Sequence, residues 1–205
     1  KKVENVLMKK FLTASELKEE FDPYYELDIS VYEKLSPYLI KKKYRRGTLL
    51  KKSGEPEKFA RYVYNGKLAM FYPAKTGRDY KIRIFKKGRV AVDLDSYLNG
   101  TPSPYIIKPL VYSTILELSP DAESTLLDTI PEINHLSTAI NQAVARHSDE
   151  WLNIFTLPLR EGMLKLWSPQ FYEENKSLSN KDRGYLFKCS VSKINRTLKE
   201  FGLTV

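Results

Sequence analysis

Between Tyr44 and Leu118 the chain is written in short runs of β-branched and aromatic residues, with a glycine turn about every ten residues. This rhythm is that of a β-sandwich or barrel. Tyr62-Val63-Tyr64, Asn65-Gly66 and Lys67 to Tyr72 predict a hairpin, because Asn-Gly tolerates the two positive φ angles of a type I′ turn. A second hairpin is predicted at Lys75-Thr76-Gly77, joining Met70 to Tyr72 with Tyr80 to Phe85. In the latter run Tyr80, Ile82 and Ile84 alternate with Lys81 and Arg83, so one face is expected to be buried and the other wet. Gly88 marks a further turn, Asp93 to Leu98 a helical turn, and Tyr105 to Leu118 two strands broken at Pro109.

The pattern then changes period. Ile133, Leu136, Ile140, Ala143, His147, Trp151 and Ile154 recur at alternating spacings of three and four, the seam of an amphipathic helix running to about Phe155. Such a seam suits packing on the chain's own barrel. Sustained over three heptads it also suits a parallel dimer, and the dimer interface is the reading adopted here. Close to the C-terminal end, Ser179-Asn180-Lys181-Asp182 fits a capping box opening a short helix through Gly184, Leu186 and Phe187, which turns at Lys188-Cys189. The next stretch, Ser190 to Phe201, divides into two faces at about 100° per residue. Val191, Ile194, Leu198 and Phe201 gather on one side, and Ser192, Lys193, Arg196 and Lys199 on the other. Two short helices at a corner, the second of them basic, point to a helix-turn-helix with its reading helix in a DNA groove.

Charge is unevenly distributed, and that matters more than the total of +9. Residues 39–90 hold seventeen Lys and Arg against three acids, while residues 91–157 hold two against nine. Residues 1–38 carry a net −2 and residues 158–205 a net +4. The basic excess favours polyanion partners, but most of it lies outside the proposed reading helix. It is read as solvated strand faces, as a flank along which bent DNA continues, or as an anion pocket. Tyr62, Tyr64, Tyr72 and Tyr80, interleaved with Lys67, Arg78 and Lys81, would also suit stacking of single strands, although aromatics alternating along strands more often form core.

The single cysteine, Cys189, excludes an internal disulfide and any four-cysteine metal site built from one chain, as expected for a reducing cytoplasm. No stretch reaches the roughly 18 apolar residues of a membrane span, and Lys1 to Lys10 lacks the long apolar core of a signal peptide. A cytoplasmic protein without membrane contact is expected. Enzymatic activity is not expected either. A metal-dependent barrel enzyme needs histidines on strands, yet His135 and His147 both lie on the long helix, and no catalytic glycine motif occurs. No cofactor or metal is anticipated.

A β-barrel segment, a long helix and a terminal helix pair, in that order, resemble the CRP/FNR superfamily of bacterial transcription regulators over roughly residues 25 to 203. The most specific residues are Cys189 to Lys199, which resemble the family's reading helix, with Ser190 as cap, Ile194 as apolar anchor, Arg196 as the base-contacting arginine and Leu198 as a second anchor. Gly47, Gly54, Gly66 and Gly88 stand where the family's roll turns. The resemblance implies an α+β fold with an N-terminal double-stranded β-roll of cyclic-nucleotide-binding type, a long dimerisation helix and a C-terminal winged-helix/helix-turn-helix domain. The corresponding boundaries are 1–130 for a roll with N-terminal helices, 131–156 for the dimerisation helix and 157–205 for the DNA-binding domain. It also implies a homodimer on double-stranded DNA with a two-fold-symmetric site, contacted by Ser190, Val191, Ser192, Lys193, Arg196 and Lys199, with RNA polymerase as a further partner.

Departures from the family pattern are informative. Arg183 stands where an apolar residue is usual and Lys188 where the family turns on glycine, so a corner of a different type is expected. Val191 and Ser192 replace the Arg and Glu that read bases in cyclic-AMP-responsive members, which implies a different target. In the sensor stretch, Val92-Asp93 occupies the Gly-Glu position and Ser103-Pro104 the Arg-Ser/Thr position. Without that arginine a cyclic phosphate loses its charge partner, so a response to cyclic AMP is not expected. Tyr64, Arg89, Asp93, Ser103 and Tyr105 are the candidate pocket for another small molecule, or no effector exists. The competing reading is a small-anion-binding or protein-interaction β-barrel module that does not touch DNA.

Overall fold

Capping chemistry starts the first elements in the computed structural model, which describes residues 11–203. The expectation for Lys1 to Lys10 lies outside those residues. Thr13 and Glu16 form a reciprocal capping box at the head of Ala14–Phe21 (α1), and Asp28 caps Ile29–Leu35 (α2). Phe21, Val31, Tyr32 and Leu35 from these helices pack with Tyr62 and Leu116 of the strand region and with Ile133 and Leu136 further on.

Seven strands follow: Ile40–Tyr44 (β1), Ala60–Asn65 (β2), Lys67–Pro73 (β3), Asp79–Lys86 (β4), Val90–Ala91 (β5), Ile106–Pro109 (β6) and Ser113–Leu118 (β7). A short helix, Leu94–Asn99 (α3), sits between β5 and β6. The strands form two antiparallel sheets, β1-β7-β2-β5 and β4-β3-β6. Val63, Leu68, Met70, Phe85, Ile107 and Ile115 fill the core to which both sheets contribute. The hairpin predicted at Lys75-Thr76-Gly77 joins β3 to β4, closed by the Ala74 N–H donating to the Arg78 carbonyl at 3.0 Å.

Asn65-Gly66 does something else. Strands β2 and β3 flank it but belong to different sheets, so the predicted type I′ hairpin is replaced by a switch between layers. Gly66 has φ +100°, and a Cβ on it would lie 2.3 Å from Ser113 Oγ and 2.7 Å from Ser113 Cα. The Ser113 hydroxyl accepts the Lys67 N–H at 3.1 Å across this junction. The sequence signal for a tight turn was sound, but it does not say which strand each arm pairs with.

A bulge corrects the alternation read in β4. Met70 pairs with Arg83 and Phe71 with Lys81, so Ile82 is an extra residue with no opposite partner. The face expected to be wet is instead covered by helices. Arg83 donates to Ser148 Oγ at 2.6 Å, Lys81 donates to Asp182 Oδ2 at 3.1 Å, and the Ile82 carbonyl accepts the Trp151 indole N–H at 2.5 Å.

Ser119 caps Pro120–Thr129 (α4), and the long helix spans Ile133–Thr156 (α5). None of the helices among the described residues is long and apolar enough to cross a membrane. The predicted seam of α5 turns inward on its own chain: Ile133, Leu136, His147, Trp151 and Ile154 are buried, and Ile140 and Ala143 half-buried. Trp151 and Ile154 pack with Ala69 and Ile84, while His147 lies 6.2 Å from the Phe85 ring. Five of the seven residues assigned to a dimer interface are thus covered by the chain itself, and of that set Ile140 and Ala143 keep accessible surface. A spacing of threes and fours marks a buried helix stripe without saying whose surface buries it. The residues of α5 left exposed are different ones, among them Thr138, Gln142, Ala145, Asp149 and Leu152.

The remaining helices are Leu159–Leu166 (α6), Tyr172–Asn175 (α7), Asn180–Leu186 (α8) and Val191–Glu200 (α9). Phe171, Leu166 and Leu178 join the Trp151 cluster, and Met163, Ile194 and Leu198 form a small separate one. Among the described residues no strand follows β7, so the expected wing is not found there.

Two outcomes test this packing. Gly66→Ala is expected to cost about 2–3 kcal/mol, since a Cβ meets Ser113 in a left-handed backbone, lowering Tm by roughly 4–12 °C; an unchanged Tm would show that the sheet switch tolerates a side chain. Burial above all, then the charges of Arg89, Arg83 and Lys86, pushes the His147 imidazole down to about 3 from its ordinary 6.5. The unfolded chain therefore binds a proton that the folded chain refuses. Stability is lost as pH falls below about 6.5, by about 1.4 kcal/mol between pH 7.5 and 5.5. Urea unfolding of His147→Leu at those two values should lack that component, and an equal loss in both proteins would refute it.

Candidate nucleic-acid interface

The corner before α9 is built by local hydrogen bonds. Ser179 and Asp182 cap α8 reciprocally, as the sequence predicts. At its other end the Cys189 N–H donates to the Gly184 carbonyl at 2.9 Å and the Lys188 N–H to the Tyr185 carbonyl at 3.2 Å. That is a Schellman arrangement, and its left-handed residue is Lys188 at φ 52°. The corner is therefore of the glycine type after all, with lysine carrying a backbone cost of about 1 kcal/mol. Gly184 permits the tightness, because a Cβ there would stand 2.9 Å from the Cys189 carbonyl oxygen. Burial raises the Cys189 thiol pKa, which leaves it a small half-buried residue at the bend.

Arg183, the second departure, is buried and fully employed. Its guanidinium donates to the Asn175 side chain at 2.9 and 3.0 Å, to the Asn175 carbonyl at 2.9 Å and to Asn180, and lies 4.9 Å from the Trp167 ring centre. Burial pushes it down to about 10, against the pull of Asp182. An apolar residue here would fill space; the arginine instead ties α7 to α8. Burial works to raise the Asp182 carboxyl, but hydrogen bonds from Ser179 and Lys81 hold it below the ordinary range.

Helix α9 follows with Ser190 as cap, its hydroxyl accepting the Lys193 N–H at 3.2 Å. Ile194, Thr197 and Leu198 are buried and Phe201 half-buried. Ser190, Val191, Ser192, Lys193, Arg196 and Lys199 are exposed, so all six sequence-predicted contact residues share the solvent-facing surface. Val191, on the apolar face by helical arithmetic, is at its edge. Asn195 also reaches that surface, where its side-chain oxygen accepts from Asn180 at 2.8 Å.

Three of the roll's cations are neutralised by the terminal helices. Lys67, Lys81 and Lys86 reach across to the terminal helices, pairing with Glu173 at 3.9 Å, Asp182 at 3.1 Å and Glu174 at 3.1 Å. Tyr80 stacks on Tyr185 of α8 with centroids 4.3 Å apart and planes 9° off parallel, and Tyr72 also stacks on Tyr185 at 6.1 Å. These tyrosines are thus engaged with one another, and Tyr62 is buried with its hydroxyl on Glu20. Arg78 of the roll, with Lys181 of α8 and Lys188 of the corner, lines an open cleft between the β3–β4 turn and the α8–α9 corner.

The five candidate pocket residues do not converge. Asp93 and Tyr105 line a cavity of about 550 Å³ between the roll and α5, shared with Arg83, Ser148 and Tyr185. Arg89 lines a separate space of about 10 Å³ beside His147. Tyr64 sits between Lys41 and Lys87, at 5.4 and 5.5 Å from its ring centre. Ser103 is buried, its hydroxyl accepting the Tyr105 N–H at 3.3 Å and its carbonyl the Gly54 N–H at 2.8 Å. Sequence reading missed Arg83, whose guanidinium is desolvated and its pKa lowered by burial. The bulge at Ile82 hid it, since simple alternation put Arg83 in water.

No family model matches the sequence, and no curated protein is similar to it in sequence. Solved structures are similar in fold. The c-di-GMP-responsive global regulator CLP of Xanthomonas campestris matches at TM-score 0.63 and 16% identity, over 85% of this chain and 92% of that one. A cyclic nucleotide-binding domain from Methylobacillus flagellatus matches at TM-score 0.60 and 17% identity, over 68% and 80%. FixK2 from Bradyrhizobium japonicum matches at TM-score 0.57 and 12% identity, over 80% and 84%. The chain thus shares its fold with these solved proteins.

Proposed function

We propose that the protein is a sequence-specific DNA-binding transcription regulator that acts as a cytoplasmic homodimer. The observation that carries this reading is the division of α9, anchored by Ile194, Thr197 and Leu198 while one continuous surface from Ser190 to Lys199 faces solvent. The likeness in fold to CLP and FixK2 supports it. Arg196 is the base reader: its planar fork matches guanine O6 and N7, worth about 1–3 kcal/mol of discrimination. Val191 is placed for a thymine methyl, Ser192 and Lys193 for base edges or phosphate, and Ser190 and Lys199 for phosphate.

On this reading residues 1–130 form the sensor part, 131–156 the linking helix and 157–205 the DNA-binding part, with RNA polymerase as a further partner. A two-fold site requires two copies. The stripe of α5 assigned to that contact is Thr138, Gln142, Ala145, Asp149 and Leu152, spaced by fours and threes and exposed in the single chain. A small-molecule effector is assigned to the cavity at Asp93 and Tyr105. Cyclic AMP is not that effector, because Ser103 is buried and engaged and Pro104 offers no N–H.

Selection of bound sequences from a random duplex pool should return a two-fold-symmetric site, and a pool that stays random would overturn the reading. Arg196→Ala is expected to lose sequence preference while keeping non-specific affinity. By contrast, Lys199→Ala should weaken all duplexes alike and flatten the salt dependence by about one unit. Sedimentation should show a dimer that Leu152→Glu shifts toward monomer; a monomeric wild type would refute the two-copy arrangement.

A further inference from the structure

Beside the exposed face of α9 lies an open cleft of about 900 Å³ whose walls come from distant parts of the sequence. One wall is the β3–β4 turn with Arg78 and Tyr80, and the other is the corner with Lys181, Lys188 and Ser190. No carboxylate is among its lining residues. Among the described residues none of Arg78, Lys181 and Lys188 is in an ion pair, whereas Lys67, Lys81 and Lys86 of the same sheet are paired to the terminal helices. Three unneutralised cations facing one space repel one another, and the chain keeps them there. Lys188 does so in a left-handed backbone that glycine would hold without cost.

Arg78 is also prepared for a ligand. Its guanidinium rests 5.3 Å from the Tyr80 ring centre, and Tyr80 is itself stacked on Tyr185. Its Nε is buried and has no hydrogen-bond partner. A fork braced on an aromatic pair, with two lysines opposite, suits an extended chain of phosphates better than one small anion, because the cations line two walls of an open groove.

We propose that this cleft grips the sugar-phosphate backbone of the same DNA that α9 reads, so that the β-roll contributes a DNA contact through the β3–β4 turn. This rests on the assignment of α9 as the reading helix. Phosphates held there fix register without carrying sequence information, and the roll thereby sets how α9 sits on its site.

The test uses the full chain, a duplex carrying the selected site, and a scrambled duplex of equal length, with affinity measured across a salt series. Arg78→Gln and Lys181→Gln are each expected to flatten the dependence of log affinity on log salt by about one unit and to weaken both duplexes roughly 3–10-fold, with their ratio unchanged. Arg78→Lys, which keeps the charge, should retain the wild-type slope and so separates a lost charge from a disturbed fold. Wild-type slope and affinity in both glutamine variants would overturn the cleft. If Arg196→Ala still abolished preference in that case, reading by α9 would stand without it. Absence of any preference in the wild type would overturn both proposals.

Discussion

One extra residue in β4 holds the molecule together. Because Ile82 has no opposite partner on β3, the strand turns Arg83 and Lys81 to different neighbours and leaves a carbonyl that the Trp151 indole caps. Arg83 then meets α5 through Ser148, and Lys81 meets α8 through Asp182. A bulge re-aims side chains that strict alternation would keep on one face. Here it lets one strand fasten both the long helix and the terminal helices, and Trp151 at their centre gathers Ile84, Phe171 and Leu166 into a shared core.

Electrostatics between the roll and the terminal helices follow from that junction. The strongly basic roll would repel itself as an isolated sheet, and part of its charge is neutralised by acids contributed from α7 and α8. Each partly exposed pair is worth no more than about 1 kcal/mol. Their joint effect is selective: they leave the β3–β4 turn as the uncompensated end. Elsewhere in the roll Arg61 is buried against Glu57 at 2.7 Å and near Glu117 at 3.8 Å, a cluster that fixes the segment before β2.

Much of this was legible in the residues because it depends on local chemistry. Capping boxes, glycine turns, the strand rhythm and the two faces of α9 are all set within a few positions. Pairing partners are not local, which is why Asn65-Gly66 reads as a hairpin and folds as a crossing between sheets. The same limit applies to the α5 seam, whose burying surface is the chain's own roll. Lys188 shows a different failure: lysine gives no sign of a left-handed bend, and only the hydrogen bonds of Gly184 and Tyr185 impose it. The pocket residues scattered because Arg89 and Tyr64 lie on other surfaces than Asp93 and Tyr105, while the bulge brought Arg83 in beside the latter pair.

The order of strands in the four-stranded sheet has a consequence for how the chain comes off the ribosome. Strand β7 lies between β1 and β2, pairing Tyr44 with Ser113 on one edge and Val63 with Ile115 on the other. Strand β1 has no neighbour, and β2 only the short β5, until Leu118 has been made. Closure of that sheet spans some of the longest sequence separations in the roll, which is the slow kind of contact to form. Until then β1 and β2 remain open edges, and the run of lysines in Ile40–Tyr44 keeps the first of them from pairing with another copy during the wait.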